Sequence, residues 1–227
     1  MAYRWPQCSI FGGFVGIKFK KEGRMKLLKK WASCVISFVA GVCGLALSAC
    51  SGMVAKVVFP DTVAAYGVES STQTTKAFKV LTDKDLYTQS KDLGVGSEFM
   101  VMKVFAIITL IISVLLIVYA IVMLLKNLNV IKFESKIFDI VGISLFVALV
   151  VSTLGLLISS NNYASEMEKA MKGQLASSLK ALEALIGSPI KWSANISVGA
   201  YQPIMLVISI ISALAVGTFT FLNKKSA

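Results

Sequence analysis

Long apolar runs alternate with mixed segments along this chain. The most uniform run, VFAIITLIISVLLIVYAIVMLL, covers 104–125 between Lys103 and Lys126 and is almost pure Ile, Leu and Val. Three others accompany it: 31–55, which opens WASCVISFVAG; 140–160, just after Asp139; and 203–222, which stops at Asn223, Lys224 and Lys225. A helix needs about 20 apolar residues to cross a bilayer, so each run predicts a span. The expected fold class is an all-α integral membrane protein. Its four transmembrane helices form an antiparallel bundle carrying a small extracytoplasmic cap.

Small residues recur at intervals of four in three of the spans: Ala40, Gly44, Ser48 and Gly52; Ser144, Ala148 and Ser152, with Gly155 close by; Ser209, Ala213 and Gly217. That spacing keeps each set on one helical face, where small side chains let helix backbones approach. These residues are the expected packing stripes. The span 104–125 offers only Thr109 and Ser113, so it is expected to show more surface to lipid. No charge lies inside any span, and Pro6, Pro60, Pro189 and Pro203 fall outside the spans or at their ends. Pumps and secondary transporters usually need an intramembrane charge or a broken helix, so that class is disfavoured.

The connections carry structure of their own. In 161–202, Met167, Met171, Leu175, Leu179, Leu182 and Ile186 recur at helical spacing, which predicts an amphipathic helix over about 165–186. Ser165 and Glu168 fit a capping box, and Gly187 followed by Pro189 fits a stop. Gly173 weakens the middle of this helix. Its apolar face is available to the first outer loop, the membrane surface or a partner. In 56–103, KVVF and KAFKVL read as strands and SSTQTT as the loop between them, so a small sheet packed on that helix is expected. LTDKDLYTQSKDLGVGS reads as polar and solvent-facing. Asn195-Ile196-Ser197 matches a glycosylation sequon, but it lies close to the fourth span and is read as incidental.

Composition supports the membrane reading. The 227 residues are 56% hydrophobic and only 15% charged, against about 25% charged in soluble domains, and mean hydropathy is +0.76. The net charge of +11 first suggests nucleic acid, but its distribution explains it otherwise. Segment 1–30 holds eight Lys/Arg against one acid, 126–139 three against two, and the tail 223–227 two against none. The connections 56–103 and 161–202 are nearly balanced, with six lysines against six acids and four against three. Lys and Arg gather on the cytoplasmic side of short loops. Both termini are therefore expected in the cytoplasm and both longer loops outside, with no nucleic-acid partner. There is no histidine, and the four cysteines form no CxxC pair. Catalytic residues, metal and cofactor are all expected to be none.

Leu47-Ser48-Ala49-Cys50 resembles the lipobox of bacterial lipoproteins. The resemblance implies lipidation of Cys50 and removal of everything before it, which would leave three spans and an N-terminus outside. The basic run Met25–Lys30 and the apolar stretch Trp31–Ala46 resemble the signal segment that precedes such a box. On that reading the chain starts at Met25 and residues 1–24 are an over-extended start. The apolar character running past Cys50 through Met53–Ala55 and Val57–Phe59 favours retention of the first span instead. The lipobox-like string and the lysine-rich composition point to a bacterial source. The layout, with a longer first outer loop, resembles that of claudin-type four-span proteins. The 56–103 loop has no Trp and no Cys, so no function is carried across.

The expected function is a non-enzymatic membrane scaffold, accessory or partner-binding subunit acting through its outer loops. Its partners are the lipid bilayer and other membrane proteins or further copies of itself. An oligomeric channel or exporter subunit is the alternative, with Ser144, Ser152, Ser159 and Ser160 as the pore lining.

Overall fold

The computed structural model describes residues 21–49, 51–128, 130–131 and 135–225. Cys50 and residues 1–20, which include most of the proposed over-extended start, lie outside the described residues. The described residues are mostly helical, with one three-stranded sheet. Among the described residues, three helices are long and apolar enough to cross a membrane by length and composition: α4 (Gly96–Asn127), α5 (Ser135–Ile186) and α6 (Tyr201–Lys225). In α1 (Lys21–Ala49) the stretch Trp31–Ala46 is a shorter apolar helix. The expected first span, 31–55, is therefore not helical throughout. The chain turns to strand at Ser51, and Gly52 lies in β1 (Ser51–Val58) rather than on a helix-packing stripe.

The four long helices pack in a ring, each on two neighbours. Cys34 Sγ donates to Ala120 O at 3.2 Å between α1 and α4. Tyr119 of α4 meets Gly142 of α5, and Phe105 meets Gly155. Thr153 of α5 and Ser209 of α6 bring their hydroxyls within 3.1 Å. The ring closes where Tyr201 of α6 donates its hydroxyl to Cys43 O of α1 at 3.2 Å. Partners rise on one helix as they fall on the next between α4 and α5, and between α1 and α4, where Gly41 meets Ile117 and Gly44 meets Ser113, so these neighbours are antiparallel. Ala40, Phe99, Leu116, Phe146, Leu149 and Met205 fill the centre, each at most 1% exposed.

The 165–186 helix is not separate. It continues the third apolar run without a break, making α5 52 residues long, or about 78 Å at 1.5 Å per residue. Ser165 lies mid-helix and caps nothing. The capping-box pattern is a local signal, and a continuous packed face on both sides of it overrides that signal. The helix ends at Ile186, where Gly187 takes φ 71 and its N–H bonds Glu183 O at 2.9 Å.

Beyond the bundle, the second half of α5 carries a unit called here the head. Its sheet has the order β2-β1-β3, with β1 central and antiparallel to β2 (Ser71–Lys76) and β3 (Ser193–Val198). The strands in 56–103 differ from those expected. SSTQTT, expected as a loop, is most of β2, and KAFKVL, expected as a strand, is mostly α2 (Ala77–Thr82). The Thr-rich stretch is the one that reaches β1, and a strand is stabilised by its neighbour more than by intrinsic preference. The segment expected to be solvent-facing holds α3 (Lys84–Asp92), capped by Asp83 accepting the Asp85 N–H at 2.9 Å. The sequon Asn195-Ile196-Ser197 lies in β3.

Candidate functional site

Two places position polar or apolar groups in ways that plain packing does not require. The first is the face of α5 in the head. Of the residues expected to offer a partner face, Leu179 is buried and Met167, Met171, Leu175, Leu182 and Ile186 are half-buried. The chain covers much of this face itself. Val63, Leu179 and Ile190 form a cluster with Phe59, Val68, Leu182, Ile186 and Trp192 packed against it. Met167 packs on the main core. The intramolecular option therefore accounts for most of this face, and Leu185, 80% exposed, lies outside it.

The head is held to α5 by carboxylates as well. Glu168 accepts the Ile196 N–H at 3.1 Å and the Lys172 ammonium, and Glu183 accepts the Ile190 N–H at 2.9 Å. β3 is an outer strand of the sheet, and Glu168 satisfies an Ile196 N–H that the ladder with β1 does not use. Lys172 first, and the Ile196 N–H second, hold the Glu168 carboxyl below its ordinary 4.5. A lowered folded value means that this contribution is complete above the ordinary carboxylate range. It is lost as pH falls through the lower folded value. Glu168→Gln is expected to flatten the acid limb of the head's stability profile below about pH 4.5. Hydrogen exchange of 193–198 against pH would show it, and an unchanged limb would remove Glu168 from that role.

The second place is the junction of bundle and head. Ser90 of α3 and Tyr163 of α5 bring their hydroxyls within 2.7 Å, both buried, and Ser90 also donates to Leu86 O at 2.7 Å. Phe99 of α4 meets Tyr163 edge-on at 5.6 Å. Burial raises the Tyr163 hydroxyl above its ordinary 10, so it stays protonated and able to donate. Ser159 and Ser160, just before Tyr163 on α5, are buried, as is Gln202 of α6.

The packing stripes are placed unevenly. Ala40 is fully buried, and a Cβ on Gly44 would lie 2.9 Å from Ser113 Cβ and 3.4 Å from Met205 Cε. Ser48 is in α1, and its side chain is outside the described residues. Ser152 and Ser209 are buried, and Ala148 and Ala213 half-buried. A Cβ on Gly217 would meet nothing within 4 Å. Ser144 is exposed, so it belongs to neither a packed seam nor a bundle-lining stripe. Steps of four drift about 40° each on a 3.6-residue helix, which turns Ser144 about 80° away from Ser152. Residues facing inward follow alternating steps of three and four instead: Phe146, Leu149, Thr153, Leu156 and Ser160. That alternation was readable, as were Gly41, Gly142 and Gly155 as seats for large neighbours, but Tyr163 and Gln202 gave no sequence signal. Ser152 and Ser159 donate to Leu149 O at 3.0 Å and Leu156 O at 3.1 Å, within their own helix.

Among the described residues no group of three or more His, Cys, Asp or Glu could hold a metal. Fold and site together define a mostly helical protein whose described residues include three helices of membrane-spanning length, with a folded head on the longest. No family model matches the chain, and neither does any curated protein or solved structure.

Proposed function

We propose that the chain is a non-enzymatic, multi-pass membrane protein whose extracytoplasmic head binds a partner, as a scaffold or accessory subunit. The observation that carries this reading is α5 itself. One unbroken helix joins the apolar bundle to a head assembled from both long connections. Connections that serve only to link helices need no shared core, so a packed, rigidly mounted head favours a role in recognition.

On this reading α1 is a fourth span. Trp31–Ala49 is about 28 Å of uncharged helix, near the thickness of a hydrocarbon core. The surplus of Lys and Arg in 1–30, 126–139 and the tail supports cytoplasmic termini and an outside head. Cleavage before Cys50 would remove a helix that seats against both α4 and α6, which favours retention over lipidation. A mass near 24.4 kDa, or that value less residues 1–24, for the protein from native membranes supports retention. A chain starting at an acylated Cys50 overturns it.

The test of function is photo-crosslinking in native membranes. A crosslinker at Leu185 or Gln73, both exposed on the head, is expected to capture a discrete protein adduct. One at Ile111, exposed on the apolar surface of α4, is expected to capture none. No adduct at either head position, together with ion flux through the purified protein in liposomes, would replace this reading with the channel alternative.

A further inference from the structure

Among the described residues, two buried side-chain oxygens have no hydrogen-bond partner: Ser160 Oγ and Gln202 Oε1. Ser160 is 0% and Gln202 6% exposed. The register of α5 on α6 places them opposite each other. Thr153 and Ser209 touch across this interface, and Ser160 lies seven residues after Thr153 while Gln202 lies seven before Ser209. Seven residues are about two turns and about 10 Å, so antiparallel partners advanced by seven on both helices face each other again. The buried pair Phe146 and Val216, displaced by seven the other way, fits the same register. The Gln202 amide is oriented by its other end. Nε2 donates to Gly52 O at 3.4 Å, and a flipped amide would set oxygen against oxygen.

We propose that Ser160 and Gln202 hold one buried water between α5 and α6, where α1 has ended and β1 begins. A water can donate to Gln202 Oε1 while exchanging a hydrogen bond with the Ser160 hydroxyl, and buried waters typically have two to four such partners. A metal cation is poorly matched, because two neutral oxygens do not replace a hydration shell. The backbone supports the placement. β1 is non-helical here, and Gly52 O already accepts the Gly199 N–H at 2.9 Å as well as the Gln202 amide. The water completes a chain of contacts from β1 through Gln202 to α5, tying the first strand of the head to the helix that carries it.

The experiment is a double-mutant cycle on the full chain in detergent: Ser160→Ala, Gln202→Met and both together, read by thermal unfolding. Ser160→Ala is expected to lower the midpoint by roughly 3 °C, on the scale of one lost hydrogen bond in a chain this long. Gln202→Met is expected to lower it further, since Gly52 O also loses a donor. The double variant is expected to be as stable as Gln202→Met alone or somewhat more stable, because the shared water is already gone and the hydroxyl it leaves unpartnered is removed as well. Additive losses would overturn the proposal, as would a rise for Ser160→Ala, which is what removing an orphaned hydroxyl would give. Midpoints are expected to be equal in sodium and choline chloride. A sodium-dependent rise that Ser160→Ala abolishes would assign a cation instead and overturn the water.

Discussion

Gly41→Leu is expected to lower the thermal midpoint of the purified protein by on the order of 10 °C. A Cβ at Gly41 would lie 2.6 Å from Ile117 Cγ1, 2.8 Å from Ser113 O and 3.2 Å from Ile117 N. Two of those neighbours are α4 backbone, which no rotamer change can move. The helices must separate, and overpacking of this kind costs about 3 kcal/mol, or a few degrees per kcal/mol in a chain of this length. Separation also loosens Cys34 on Ala120 O and Ala40 in the core, since both ride on α1. Gly173→Ala is the control. A Cβ there meets nothing within 4 Å, so the variant is expected to gain up to about 1 kcal/mol from helix propensity. A Gly41→Leu protein as stable as wild type would mean that α1 does not seat on α4 as described.

Glu166→Pro is expected to be almost as damaging, and it separates two accounts of α5. If Ser165 capped a new helix, position 166 would be its first residue, where proline is well tolerated. In the continuous helix, proline removes a hydrogen bond and clashes with the preceding turn, at a cost of about 3 kcal/mol or more. The side chain itself matters little. Glu166 pairs with Lys169 on an exposed surface, and such pairs contribute at most about 1 kcal/mol, so Glu166→Ala is expected to be near neutral. For Glu166→Pro the expected signature is a lower midpoint together with faster hydrogen exchange through 166–198, because the head loses its rigid mount. Wild-type exchange there would restore the two-helix account.

What the sequence determined by itself was composition and period. Unbroken apolar length predicts the helices at 104–125, 140–160 and 203–222 wherever pairing falls, since a helix satisfies its own backbone. The 3.6-residue period likewise placed Leu179, Leu182 and Ile186 on one face of a helix ending before Gly187. What only the tertiary structure decided were the choices that depend on a neighbour. β2 became a strand because it reaches β1, whereas KAFKVL, with comparable local preference, has no strand beside it. The first apolar run stops being helical near Ala49 because the chain that follows enters the sheet. Ser144 and Ser152 look equivalent on a row of fours, but the actual seam alternates threes and fours, which turns one outward and the other inward. The burial of Ser160 and Gln202 without partners depends on the register of α5 against α6, and register is set by how the two surfaces interlock, which neither helix specifies alone.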